Sequence, residues 1–510
     1  LNIDINPITK NEIKKAIKET KSGKAPGIDN INAELLKVDP DMAADVLHPL
    51  FQDIWLKEKI PKEWGKGIII KIPKKGDLSN CDNWRGITLL SVPSKIFTRV
   101  ILNRTRDAME TILRKSQYGF RPNKSCTDLI NTLRIIMEQS SEWNNPLYVI
   151  FVDFVKAFDL LNREFIWRRL SKIGIPTKII NIVKDLYNNS ICYVSHNGRL
   201  SKPFNTERGV KQGCLLSPLL FILAMDGIMN ELSSRRRRGI QWGLNARLES
   251  LEYADDVCLL AHRFTDINGK LQDLCKLAAD AGLEINKHKT KEIRIYNRID
   301  SALMLEGEEI EGKNEFTYLG SKISVNGGSD EDVDARIKKA RYVYIQLKSI
   351  WRSKQISLKL KLRLFESNVK SILLYGCETW KTSKQIGKKL QSFVNRCLRN
   401  IMGIWWPEII TNKELWRKTN QQEIVKEIKF RKWKWVGHVL RRESDNITKM
   451  AFDWNPQGLS RRRGRPRATW NNTIRDEAEQ AGKSWSEIKA LANNRVRWRA
   501  FIKALCFPVE

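Results

Sequence analysis

Hydrophobic positions along the chain change period several times, and each change marks an element. Residues 8–20 (ITKNEIKKAIKET) carry apolar side chains at Ile8, Ile13, Ala16 and Ile17, a spacing that predicts an amphipathic helix. SGKAPGIDNIN (22–32) is a Gly/Pro loop leading into a second helix through Glu34, Leu35 and Leu36. GIIIKIPK (67–74) predicts a strand closed by a turn at Lys75 and Gly76. LYVIFVDF (147–154) is an almost unbroken apolar, β-branched and aromatic run. It predicts a strand buried on both faces and ending in a carboxylate. A helix is expected to follow through Phe165, Trp167 and Leu170, and another over 216–232, with Pro218 early enough for its missing N–H to be tolerated. SLEYADDVCLLA (250–261) has two apolar arms around a polar centre, the pattern of a hairpin with two acids at its tip. RRRRG (235–239) is expected as a basic surface loop.

After about residue 330 the pattern becomes helical and basic, and 11 of the 17 tryptophans lie from Trp351 onward among Arg and Lys. A domain boundary is expected near 325–330, around NGGSD, and a softer one near 400. No period of 20–50 residues repeats, which argues against a solenoid. With 510 residues, roughly 150 per domain gives about three units. An apolar fraction of 42% excludes a wholly disordered chain. Lys plus Arg number 90 against 58 Asp plus Glu, a formal charge of +32. Such a balance points to a polyanionic partner, nucleic acid first and an acidic membrane surface second. No segment reaches the ~18 consecutive apolar residues of a membrane-spanning helix. LNIDINPITK is no signal peptide, so secretion is not expected. The Leu1 start reads as a fragment of a longer frame. Nine cysteines without a CxxC spacing argue against a disulfide scaffold or zinc knuckles and for a reducing compartment.

Three acids carry the candidate chemistry. Asp153 ends the buried strand, and Asp255 and Asp256 sit side by side 102 positions later. Adjacent carboxylates flanked by apolar strands are costly unless a positive partner offsets their repulsion. A solvated acidic turn is one explanation; a divalent cation is the other. Hard oxygen ligands in an incomplete protein cage favour Mg²⁺. Two such ions can stabilise the attacking and leaving oxygens of an in-line phosphoryl displacement.

FVDFVKAFD (151–159), GVKQGCLLSPLLF (209–221) and YADD (253–256) occur in this order and resemble motifs A, B and C of the reverse transcriptase palm. NWRGITLLSVPSKIFTRVILNR (83–104), QYGFRPNKSCTD (117–128), AGLEINKHKTK (281–291) and FTYLGSKIS (316–324) stand around them. Together the blocks resemble the reverse transcriptases of non-LTR (LINE-like, RTE-type) retrotransposons over roughly residues 20 to 400. The resemblance implies an α+β right-hand polymerase, fingers and palm, followed by a helical thumb and a basic, Trp-rich, mainly helical C-terminal region. The expected divisions are a helical extension at 1–51, fingers and palm at 52–325, a thumb at 326–400 and a nucleic-acid-binding region at 401–510. The implied activity is RNA-directed DNA polymerisation with two Mg²⁺, Mn²⁺ being a substitute. RNA template, DNA primer or target and dNTPs would be the partners, with no membrane. The implied place is intracellular, nucleus and/or cytoplasm. A catalytically silent remnant that only binds RNA or DNA is the alternative.

The resemblance also implies roles. Asp153 and Asp255 would hold the ions, with Asp256 and the backbone carbonyl of Phe154 as further ligands. Phe158 takes the place of a steric gate against a ribose 2′-OH. Gln212 and Gly213 would pack under the nucleotide and template, where Gly permits close backbone approach. Arg85 and Lys95, and more weakly Arg121, would clamp the triphosphate. Lys289 resembles the lysine that protonates departing pyrophosphate; Lys287 is a rival that sequence does not separate from it. In SRRRGRPRATW (460–470), Arg461, Arg462, Arg463, Arg465 and Arg467 resemble an AT-hook for a narrow minor groove. A flexible basic loop on any phosphate backbone is the other reading. Trp433, Trp435, Trp470 and Trp498 would either stack on unpaired bases or form the core of a helical domain. Cys377, Cys397 and His438 match no standard zinc spacing. No endonuclease or ribonuclease H signature is recognisable.

Overall fold

The structure is a computed structural model. It describes residues 1–74, 76–188, 190–243, 246–297, 299, 301–456, 461, 464 and 468–507. The first amphipathic helix runs Lys10–Glu19. The Thr9 hydroxyl accepts from the Glu12 amide and the Glu12 carboxylate returns the bond, a capping box that satisfies two orphan donors. Ile13, Ala16 and Ile17 face inward against the helices Pro40–Lys57 and Val92–Ile112.

The apolar run forms the strand Leu147–Val152, buried at all six positions. It lies inside a four-stranded sheet ordered Lys291–Ile295, Leu147–Val152, Asp256–Ala261, Ser250–Tyr253. Every pairing is antiparallel, with Val257 opposite Val152 and Ile293 opposite Val149. A second sheet carries Trp84–Leu89, Lys66–Pro73 and Ile191–His196 in that order. The helix around Pro218 runs Ser217–Arg235.

The alternation of side chains along the strands sends the two faces of the four-stranded sheet into different cores. Ile150 and Val152 join a cluster with Phe97, Phe221 and Leu271. Val149 and Phe151 join another with Ile135, Trp433, Trp470 and Trp498. The C-terminal region is therefore packed on the back of the sheet. A third cluster spans Val333 to Ile428. The helix Lys384–Met402 crosses position 400 inside that third cluster. The softer boundary expected there does not match a break in packing, because Ile401, Ile404 and Ile410 continue one core. Likewise the helix Pro40–Lys57 crosses position 51, and Phe51 meets Phe97 edge to face at 5.1 Å.

The helix Cys126–Glu142 joins these parts. Fourteen of its residues are buried, among them Asp128, Arg134, Glu138 and Glu142. Charges almost never go fully inside unless paired, and here each finds a distant partner. Asp128 accepts from Arg442 at 3.0 Å and from the Trp435 indole at 2.9 Å. Arg134 pairs with Asp332 at 3.0 Å. Glu138 accepts from the Trp470 amide at 2.8 Å, and Glu142 pairs with Arg461 at 2.6 Å. The basic run 235–239 follows the helix end at Arg235 as an exposed loop through Arg236 and Arg237, but Arg238 departs from that expectation: it is buried and paired with Asp273 at 2.5 Å. No described helix is long and apolar enough to cross a membrane.

Candidate active site

Asp153 leaves the end of the buried strand, one residue beyond the Val152–Val257 pair. The hairpin turns at Ala254 and Asp255, between Tyr253 and Asp256, which are paired. Ala254 holds φ +57°, a left-handed conformation uncommon for a residue with a Cβ. The neighbouring segment 117–119 holds this geometry through two bonds to the hairpin and one within itself. Gln117, wholly buried, accepts through Oε1 from the Gly119 amide at 2.8 Å and the Ala254 amide at 3.0 Å. Tyr118 donates its amide to the Glu252 carbonyl at 2.8 Å. A Cβ on Gly119 would stand 2.3 Å from the Ala254 nitrogen. Gln117 was not singled out in the sequence, although its block was; a polar residue in a short irregular segment carries no periodic signal.

The charge of Asp153 reaches both carboxyls of the hairpin. Burial raises the Asp255 carboxyl above its usual range, and the charge of Asp153 adds to the rise. Burial pushes Asp256 up to about 6, with Asp255 and then Asp153 contributing. Burial also raises Asp153, against the opposing charge of Lys289. Lys289 Nζ lies 3.8 Å from Asp153 Oδ2. Its loop is tied to Asp153 by the Asn286 amide, which donates to the Asp153 carbonyl at 2.7 Å. Lys287 instead pairs with Glu306 and Glu308 at 3.2 and 3.1 Å. The two lysines that sequence left unresolved thus face different acids.

Among the described residues, no three acidic, histidine or cysteine side chains converge to hold one ion by themselves. The donor set nevertheless suits a hard dication. It consists of part-buried carboxylates, two of them raised further by neighbouring acid charge, and such an ion completes its shell with water and substrate phosphate. The Phe154–Ile285 bridge uses the Asp153 carbonyl and the Val155 amide, so it does not engage the Phe154 carbonyl. Cys377 and Cys397 are buried thiols in the third core.

Facing the acids, the strand Trp84–Leu89 brings Arg85, whose charge opposes the rise at Asp255. Gln212 and Gly213 lie against the same strand: the Thr88 amide donates to the Gln212 carbonyl at 2.6 Å. Gly213 has φ +141°, and a Cβ there would stand 2.1 Å from the Thr88 carbonyl oxygen. Only glycine fits both constraints. Gln212 Nε2 donates to Asp159 Oδ1 at 3.4 Å. Phe158 is half-buried, stacked on Phe221 at 4.3 Å and edge to face with Phe120 at 6.2 Å. Lys95 lies on a separate helix start, its proton affinity lowered by burial and partly restored by Asp29 and Cys214.

Other expected positions are placed elsewhere. Arg121 pairs with Glu110 at 2.7 Å and bonds the Arg114 and Gln117 carbonyls, so it braces the turn support instead of reaching a phosphate. Trp433, Trp470 and Trp498 are buried, and Trp435 packs on Phe452 and Trp470. These four are core, which removes the base-stacking alternative for them. Arg461 is held by Glu142; Arg462, Arg463, Arg465 and Arg467 lie outside the described residues.

Residues 72–323 match the family described as reverse transcriptase (RNA-dependent DNA polymerase), and residues 343–375 match a domain of unknown function. The probable RNA-directed DNA polymerase from transposon BS of Drosophila melanogaster is 26% identical over 84% of the chain and 48% of its own length. The Pol polyprotein from the type-1 retrotransposable element R2 of Popillia japonica is 27% identical over 77% of the chain and 55% of its own length. A 149 kDa protein of transposon TX1 from Xenopus laevis is 26% identical over 56% of the chain and 22% of its own length. The chain thus spans about half or less of the length of these three relatives. The structure of apo telomerase from Candida tropicalis aligns with 80% of the chain and 72% of its own at 15% identity and a TM-score of 0.38.

Proposed function

As residues 72–323 of this chain are a reverse transcriptase domain and its relatives are polymerases of non-LTR retrotransposons, we propose that it extends a primer 3′-OH with dNTPs on an RNA template. The observation that carries the reading is the placement of Asp153 at the end of a buried strand beside the paired turn of Asp255 and Asp256, where the Asp153 charge raises both other carboxyls. In the reaction the primer oxygen attacks the α-phosphorus of a dNTP, a P–O bond forms and the bond to pyrophosphate breaks. Asp153 and Asp255 would hold two Mg²⁺ ions, with Asp256 and the Phe154 carbonyl as supporting ligands. When bound, such ions supply charge neutralisation at the attacking and leaving oxygens. Lys289, beside Asp153, would deliver the proton that pyrophosphate requires. Arg85 would offset phosphate charge, and Lys95 would do so from the helix behind it. Gly213 lets the backbone approach strand and nucleotide closely, with Gln212 anchoring it. Phe158, held by Phe221 and Phe120, would exclude a ribose 2′-OH. Most of the acceleration would come from positioning and electrostatics.

The proposed partners are the RNA template, a DNA primer or target and dNTPs, and the proposed place of action is inside the cell, in the nucleus and/or cytoplasm. The test is dNTP incorporation on a primed RNA template with Mg²⁺. Asp255→Ala and Asp153→Ala should each abolish addition while template affinity stays near wild type. A wild-type extension rate in Asp255→Ala would refute the assignment. Template binding without incorporation by the unaltered chain would favour the silent nucleic-acid-binding remnant.

A further inference from the structure

Seventeen tryptophans occur in the chain, and all but two are buried or half-buried. Trp405 and Trp406 are 62% and 85% exposed, and Ile409 beside them is 81% exposed. Large apolar side chains grouped in the open usually mark a binding surface. The segment that carries them is anchored. Ile404 and Ile410 on either side are buried in the third core. The Ile404 amide donates to the Arg399 carbonyl at 3.0 Å, and the Glu408 amide to the Trp405 carbonyl at 2.8 Å. The Arg399 guanidinium donates to Asn412 Oδ1 at 2.7 Å and to the Ile410 carbonyl at 3.4 Å. Both ends of the loop are therefore fixed while its two indoles face solvent.

The surroundings say what kind of partner fits. Between Lys384 and Lys418 there are eight Lys and Arg against two acids, Glu408 and Glu414. Glu414 is already paired with Lys418 at 3.3 Å. On the helix Lys384–Met402, Lys388, Ser392 and Arg396 are exposed at intervals of four residues, so one basic face leads to the loop. Lys413 and Arg417 are exposed on the next helix, Asn412–Thr419. Indoles set at the end of a cationic track combine the two elements that bind a strand with unpaired bases: aromatic faces for the bases and positive charge for the phosphates.

We propose that the 404–410 loop is a stacking site for unpaired nucleotides, with Trp405 and Trp406 receiving bases and Lys388 and Arg396 following the backbone. The site lies on the third core, apart from the palm acids, and goes beyond the polymerase reading.

The test uses the full chain with oligouridylate and oligothymidylate as single strands and a blunt duplex of equal length, read by fluorescence anisotropy. Trp405→Ala combined with Trp406→Ala should lower single-strand affinity about tenfold or more, since stacking contributes roughly 5- to 150-fold per base. Duplex affinity should stay within about twofold, because phosphate contacts remain. Trp406→Phe should keep most of the affinity, and Arg396→Ala should reduce the salt dependence by about one phosphate contact. Loss on either single strand supports the site, and loss on one alone names that strand as the occupant. Unchanged single-strand affinity in a double variant with a wild-type melting curve overturns the proposal. So does equal loss on the duplex, or tryptophan-dependent co-sedimentation with phosphatidylserine vesicles in its place. Repeating the titration in Asp255→Ala keeps the outcome independent of polymerisation.

Discussion

Replacing Gln117 with methionine keeps its volume and removes one acceptor. In the native chain that oxygen satisfies two buried amides, those of Gly119 and Ala254. Leaving a buried donor unpaired costs about 1–3 kcal/mol, so two cost about 2–6. The Gln117 Nε2, itself buried without a partner among the described residues, is removed by the same change, which returns about 1–3 kcal/mol. The net loss is about 1–3 kcal/mol, and it falls on the turn that presents Asp255. The bonds Tyr118 amide to Glu252 carbonyl and Glu252 amide to Ser116 carbonyl, at 2.8 and 3.0 Å, survive. The turn should therefore loosen before the sheet does. If the lost energy appears in the transition state, kcat falls about 5- to 150-fold at 1.4 kcal/mol per factor of ten. The dNTP KM should move less than about twofold, since Gln117 is wholly buried and acts through the turn. Steady-state primer extension on an RNA template, with a melting curve for the same preparation, measures both. A folded Gln117→Met chain with unchanged kcat would refute the positioning role.

Two further outcomes follow from buried charge. Asp332 accepts from Arg134, the Ser321 hydroxyl, the Lys322 amide and the Trp380 indole, so Asp332→Ala should cost about 3–5 kcal/mol in urea unfolding by leaving Arg134 buried and unpaired. Arg134→Met with Asp332→Leu should restore most of that, and simple additivity of the two single changes would refute the pairing argument. Burial alone would raise Asp332, but Arg134 and these hydrogen bonds outweigh it and hold the carboxyl below its usual value. Its contribution is thus present above about pH 4 and lost as pH falls through the lower folded value. Asp256 has the opposite sign. Burial, then Asp255 and Asp153, raise it to about 6, so the metal-free chain should lose stability as pH climbs from about 4 to that value. Asp256→Asn should flatten this decline, and Mg²⁺ should raise the melting temperature more at neutral pH than in mild acid. An equal Mg²⁺ response at both would count against a carboxylate site.

The strand at 147–152 and the hairpin at 250–261 were legible because their apolar runs have one good structural solution. A strand buried on both faces shows no alternation, and two acids between apolar arms mark a hairpin, although only Asp255 lies in its turn and Asp256 already begins the next strand. The helix Cys126–Glu142 was not legible. Its buried Asp128, Arg134, Glu138 and Glu142 look like a solvated face until Arg442, Asp332, Trp470 and Arg461 are brought to it. The tryptophans posed a similar problem. Trp433 and Trp470, amid basic residues, are core, whereas Trp405 and Trp406, earlier in the same basic stretch, are exposed. Composition is the same in both places, and only the packing around Ile404 and Ile410 separates them.

Taken alone, the sequence determined where carboxylates end apolar strands and that the chain carries a large positive charge. These are local or summed properties, set by periodicity and composition. Tertiary structure decided that Lys289 and not Lys287 faces Asp153, that Gln117 holds the Ala254 turn, and which indoles remain in solvent. Each of those depends on residues far apart in the chain meeting within hydrogen-bond or van der Waals range, a distance that no pattern along the chain encodes.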